Sequence, residues 1–172
     1  MVDGGDKDIR LLGRITSGRG LSAPRLKLWE QLANKTGVSG YFPGTLNVEI
    51  RTPVHFKGSM ALNLDGFGHQ NLRVWPAVID GIPCKILRWV DCPLHILEVI
   101  HPSRLRDVLG KGDGESVEVV VRQRNISKLT GFCKLFYFLL WRLPNRNFYQ
   151  DRKYELRLRS LLRILGLKCL QD

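Results

Sequence analysis

Thr45 and Asn47 are the residues of this chain whose types and spacing most readily suggest chemistry. They follow the turn signal Pro43-Gly44. They open the run Thr45-Leu46-Asn47-Val48-Glu49-Ile50, in which polar and apolar residues alternate as in a half-buried strand. Residues two apart on a strand share a face, so the Thr45 hydroxyl and the Asn47 amide oxygen project side by side. Two adjacent neutral oxygens suit a hard cation such as Mg²⁺, which keeps few protein ligands and takes the rest from substrate phosphates and water. Taken alone, the segment also reads as a turn leading into a strand whose Thr and Asn are simply solvated.

Two further segments carry related chemistry. Upstream is Gly13-Arg14-Ile15-Thr16-Ser17-Gly18-Arg19-Gly20-Leu21-Ser22-Ala23. Gly18 and Gly20 would let backbone N–H groups approach phosphates closely, and Arg19 adds positive charge. Downstream, Leu97-Glu98-Val99-Ile100-His101-Pro102-Ser103-Arg104-Leu105-Arg106-Asp107-Val108-Leu109 places Arg104 and Arg106 at the start of a short helix, where the dipole also favours anions. Glu98 lies in an apolar β-segment, where a carboxylate is costly unless it is hydrogen-bonded or faces outward. Phosphoryl transfer needs positioned phosphates, a metal and cations aimed at developing charge, and these segments together could supply all three.

The order is a Gly-rich turn after a short strand, a helix, Pro-Gly-Thr-Leu-Asn, then Leu-Glu-Val-Ile-x-Pro-x-x-Leu-Arg. Over about residues 10–121 this resembles the archaeal CTP-dependent riboflavin kinases. The resemblance implies a mainly β fold, a small cradle-loop β-barrel with one or two short helices. It implies transfer of the γ-phosphate of CTP to riboflavin, giving FMN and CDP, with Mg²⁺ held by Thr45 and Asn47. Ser17, Gly18, Arg19, Gly20, Leu21, Ser22, Arg104 and Arg106 would contact the nucleotide, Arg106 matching the Arg of the family's Leu-Arg motif. Glu98 would face the flavin and act as base for the accepting hydroxyl, with His95 also on the substrate side. His95 and His69 show no partner in the sequence that would make either a general base. Because neither Thr45 nor Asn47 is anionic, the metal should arrive with the nucleotide.

The chain departs from the family pattern on the acceptor side. Trp89-Val90-Asp91-Cys92-Pro93-Leu94-His95 is shorter than the family's loop and contains no Ser or Thr. The connection between Gly20 and the first helix is shortened too. Another small alcohol, a sugar or polyol, is therefore the alternative acceptor.

The elements that must position these residues follow from periodicity and breakers. Strands are expected at Ile9–Thr16, Thr45–Ile50, Leu72–Ile79, Cys84–Val90, His95–Ile100 and Val117–Val121, with shorter ones between 51 and 70. Pro24–Thr36 reads as a helix stopped by Gly37, and Pro102–Leu109 as a short helix with Pro in its first turn. Many short strands with few helices predict a small barrel over 9–121, after a loose terminus at 1–8.

The charge is unevenly placed. Of a net +11, the segment 122–172 carries twelve basic against three acidic residues, so nearly all the excess belongs to the tail. Phe132–Leu143 is almost wholly apolar but too short to span a bilayer. Tyr154–Leu167 sets Leu158, Leu161, Leu162 and Leu165 on one stripe, with Arg152, Arg159 and Arg163 off it: a basic amphipathic helix. Three roles stand for this extension. It would fold on the barrel or self-associate through 132–170, attach peripherally to anionic lipid, or bind nucleic acid. The scarcity of aromatics among its arginines weighs against the last. The alternative to an enzyme is a non-enzymatic barrel that binds nucleic acid or membrane through this basic tail. Four scattered cysteines with no C-x-x-C pair fit neither a zinc site nor a dense disulfide framework, and an acidic, polar start is no signal peptide. A cytoplasmic location is expected.

Overall fold

Alternation of apolar and polar residues decides which face each strand buries. In β1 (Asp8–Thr16) the buried positions are Leu11, Gly13 and Ile15, separated by exposed Leu12 and Arg14. The computed structural model describes residues 7–18, 26–58, 60–62, 72–89 and 92–142, together with Ser160. Arg19, Gly20, Leu21, Ser22, His69 and, Ser160 apart, the expected tail helix Tyr154–Leu167 lie outside the described residues.

The strands that follow are β2 (Leu46–Ile50), β3 (Val54–Phe56), β4 (Met60–Leu62), β5 (Leu72–Ile79), β6 (Ile82–Arg88), β7 (Ile96–Ile100), β8 (Ser116–Arg122) and β9 (Ile126–Lys128). Among the described residues, the α-helices include α1 (Leu26–Thr36), α2 (Leu105–Leu109) and α3 (Gly131–Tyr137). The large sheet runs β4-β5-β6-β7-β2-β1-β8, with every pairing antiparallel. Pairing of Val78 with Val120 and Ile79 with Val119 brings β8 back to β5 and closes a six-stranded barrel. The tight hairpin between β5 and β6 turns through Asp80 (φ 45°) and Gly81 (φ 84°), the left-handed pair that matches strand twist.

Two apolar clusters fill and clothe the barrel. Inside are Ile15, Val48, Ile50, Trp75, Ile79, Ile86, Leu97, Val99 and Val119. Outside, Leu28, Trp29 and Leu32 of α1 cluster with Leu72, Val74, Leu87 and Ile100 on the outer faces of β5, β6 and β7. The Cys84 thiol, buried against the inner cluster, is pushed up to about 12.

The structure departs from the sequence reading in two places. The helix expected from Pro102 starts only at Leu105, because Pro102 and Ser103 form a bend in which the Ser103 N–H donates to His101 Nδ1 at 3.0 Å. Arg104, with extended backbone, then occupies the cap position. The second departure follows β8. The chain makes one 3₁₀ turn at Gln123–Asn125 and returns as β9, which pairs with β3 through Val54–Lys128 and Phe56–Ile126. A three-residue strand is too short to announce itself by periodicity. Thr130 then caps α3, accepting from the Cys133 N–H at 3.4 Å. The helix widens into a π-turn at Phe138–Arg142. Cys133 and Tyr137, one helical turn apart, are buried, whereas Phe132, Leu135, Phe138 and Leu139 are exposed. Cys133 is disulfide-bonded, and Cys84 and Cys92 are free. No helix among the described residues is long and apolar enough to cross a membrane.

The packing of β2 against Gly13 of β1 sets a stability test. A Cβ on Gly13 would stand 2.6 Å from Val48 Cγ1 and 2.8 Å from the Glu49 carbonyl oxygen. Gly13→Ala should therefore destabilise the barrel by about 1–3 kcal/mol, as overpacking does. A denaturant midpoint equal to that of the parent would show that the two strands have room to part.

Candidate active site

The site is built by the register of three strands. β2 lies between β1 and β7, so Asn47 stands opposite Thr16 on one side and Glu98 on the other. Directly opposed residues of antiparallel strands share a face. The row continues through Leu87 of β6 to Val74 of β5, where α1 covers it. Neighbouring Val48, Leu97 and Ile86 point into the barrel, so this polar row lies on its outer surface. Even so, Asn47 and Glu98 are each only 4% exposed.

The Thr45 hydroxyl donates to Asn47 Oδ1 at 3.4 Å, so the two oxygens chosen from spacing do meet. Gly18, two residues past the end of β1, lies directly against the Asn47 amide. A Cβ on Gly18 would fall 2.0 Å from Asn47 Nδ2, so any other residue there would have to displace the buried Asn47 amide.

A second cluster adjoins this one. The Arg106 guanidinium lies 3.5 Å from the Thr16 carbonyl oxygen and 2.5 Å from Asp113 Oδ1. The Ser17 hydroxyl donates to the other Asp113 oxygen. The turn carrying Asp113 is itself fastened to β1, because the Gly114 N–H donates to the Ile15 carbonyl at 2.8 Å. The Ser17 hydroxyl, and next the Arg106 guanidinium, hold the Asp113 carboxyl below the usual carboxylate range. Arg104 is engaged elsewhere, 3.3 Å from exposed Asp107. The structure thus brings Arg106 to Thr16 and Ser17, and does not bring Arg104 there.

His95 goes a different way from Glu98. It ends the turn before β7, is buried, and its ring Nδ1 and main-chain N both meet the Tyr137 hydroxyl, the latter at 3.1 Å. The same turn is gripped by buried Arg88, whose guanidinium donates to the carbonyls of Ile96 (3.0 Å), Cys92 (2.9 Å) and Pro93 (3.4 Å). Glu98 follows two residues after Ile96.

Sequence reasoning missed Asp113, Arg88 and Tyr137. Asp113-Gly114 signals only a turn, and Arg88 reads as one more strand residue. Tyr137 had one faint marker, a lone phenol in the run Phe132–Leu143.

The donor set near Asn47 can be tested for fit to a divalent cation. It comprises an amide oxygen, a hydroxyl and, across the strand pair, one carboxylate. Among the described residues no group of three or more His, Cys, Asp or Glu side chains converges. Hard oxygens with so little negative charge fit a hard cation that draws most of its ligands from phosphate and water. Thr45 and Asn47 fit Mg²⁺ on that ground.

Fold and site together define a small closed β-barrel with a polar corner on its outer face, suited to an anionic ligand. Residues 25–121 match the family model CTP-dep_RFKase, described as "Domain of unknown function DUF120", and the chain belongs to that family. Among its relatives, the riboflavin kinase of Methanocella arvoryzae is 32% identical over 129 residues, covering 69% of this chain and 59% of the relative. That of Archaeoglobus fulgidus is 32% identical over 128 residues, covering 66% and 54%. That of Staphylothermus marinus is 30% identical over 122 residues, covering 66% and 92%. The chain therefore spans less than two thirds of the first two relatives and nearly all of the third.

The lowered Asp113 carboxyl gives a pH test. Its pKa is lower folded than unfolded, so its contribution is complete above the ordinary value of 3.8 and fades as pH falls through the folded value. Followed by carboxyl-carbon NMR, Asp113 should titrate below 3.8, and Ser17→Ala should raise that midpoint. A midpoint that Ser17→Ala leaves unmoved would show that the Ser17 hydroxyl does not hold this carboxylate.

Proposed function

We propose that the chain is a CTP-dependent riboflavin kinase that transfers the γ-phosphoryl group of CTP to the primary hydroxyl of riboflavin, with Mg²⁺, giving FMN and CDP. One observation carries this reading: in a chain of this family, Asn47 is fixed between Thr16 and Glu98 beneath Gly18, with Arg106 adjoining Thr16. The name of the matched family supports CTP as donor, and the name riboflavin kinase borne by the relatives supports riboflavin as acceptor.

Each residue then has a task. Backbone N–H groups at Ser17 and Gly18, continuing into 19–22, would cradle the phosphates at short range. Arg106 would turn from Asp113 to a phosphate oxygen, exchanging one anionic partner for another. Thr45 and Asn47 would hold Mg²⁺, which when bound neutralises charge on the β- and γ-phosphate oxygens. Glu98, buried and flanked by Leu97 and Val99, would accept the proton of the attacking hydroxyl at a carboxylate oxygen. Cellular CTP and Mg²⁺ fit a cytoplasmic enzyme. A second acceptor stays in view because residues 89–95 offer no Ser or Thr hydroxyl: a sugar or polyol phosphorylated by the same donor half.

Purified protein incubated with CTP, Mg²⁺ and riboflavin should yield FMN by chromatography. CDP release with another alcohol, and no FMN, would transfer the assignment to that acceptor. Asn47→Ala should weaken Mg²⁺-dependent CTP binding about 100-fold or more, since a metal clamp is worth several kcal/mol at 1.4 kcal/mol per decade. Gly18→Ala should weaken it too, through collision with Asn47. Unchanged calorimetric affinity in Asn47→Ala would remove Thr45 and Asn47 from the metal site.

A further inference from the structure

The helix α3 lies beyond the segment 25–121 that matches the family, yet its Tyr137 is 1% exposed and reaches the turn that launches the acceptor strand. The Tyr137 oxygen accepts the His95 main-chain N–H at 3.1 Å and also bonds His95 Nδ1, with the two rings edge to face at 5.6 Å. A buried main-chain N–H must find a partner, and here the partner is a side chain from the end of the described chain.

The turn it grips has little other freedom. The Leu94 and His95 carbonyls accept from Val54 and Ile50 at 3.4 and 2.8 Å, and the Ile96 N–H donates to Pro93 at 3.0 Å. Arg88 holds the Ile96 and Cys92 carbonyls as well and shares that of Pro93. The direction in which β7 leaves this turn sets where Glu98 stands relative to Asn47. Residues 89–95 carry no hydroxyl side chain of their own, and Tyr137 brings one from outside.

We infer that Tyr137 is a positioning residue for the acceptor side of the site: through His95 it fixes the start of β7 and so the placement of the Glu98 carboxylate. The extension is then part of the catalytic unit up to Tyr137. This rests on the kinase reading above, in which Glu98 meets the accepting alcohol.

The test compares the full chain with Tyr137→Phe, which keeps the ring and removes the hydroxyl. The expected result is a riboflavin KM raised roughly tenfold, the scale of one buried hydrogen bond, with the CTP KM unchanged. Amide hydrogen exchange at Ile50 and Ile96 should quicken, while that at Leu11 and Val119 stays as in the parent. Equal changes in both KM values, or unchanged riboflavin KM, would overturn the inference, since a general loss of packing would not separate acceptor from nucleotide. If the parent makes no FMN, the acceptor assignment falls on its own. The exchange data then decide the tether: faster exchange confined to Ile50 and Ile96 sustains it, and parental exchange there overturns it.

Discussion

The register of β2 between β1 and β7 is the constraint on which the site depends. Side chains alternate faces with a period of two, so a slip of one residue on either side would turn Asn47 into the barrel and Val48 out. The interior forbids that slip. Val48 sits with Ile15 and Leu97 in a closed apolar core, and an amide in its place would be buried without solvent. The same packing that stabilises the barrel therefore fixes Asn47 opposite Glu98. Gly13 within β1 and Gly18 just beyond it fit this arrangement, the first admitting Val48 and the second lying against the Asn47 amide.

A small barrel has its interior filled by its own side chains, so binding chemistry moves to the rim or the outer face. Here the outer face changes character along a single cross-strand row. Thr16, Asn47 and Glu98 are polar, while Leu87 and Val74 are apolar and packed by α1.

The charges at the polar end are balanced within the chain. Asp113 occupies Arg106 and Ser17 together, and the low carboxyl pKa reflects that double hold. Such a carboxylate keeps the guanidinium and the Ser17 hydroxyl oriented; in the proposed kinase, a phosphate would compete with it for the same donors. The ion pair is about half solvated, with side chains 29% and 49% exposed, so it contributes to orientation more than to stability. The much larger positive excess of the 122–172 segment is a separate matter, remote in sequence from this balance.

The sequence by itself determined what is local. Alternation marked the strands, Pro43-Gly44 marked the turn, and the two-residue spacing put Thr45 and Asn47 on one face, where the hydroxyl and amide do meet. Pro102 was misleading, since a proline that suits a helix start was instead spent on a bend closed by the His101 ring. Tertiary structure alone decided the rest. Which strand lies beside β2, and in what register, depends on closing the barrel through β5 and β8. That closure sets Glu98 against Asn47. Ser17 and Asp113 are 96 residues apart, and His95 and Tyr137 are 42 apart; no periodicity links such positions. Their meeting follows from burial, which obliges each polar group removed from water to find a partner wherever the folded chain brings one.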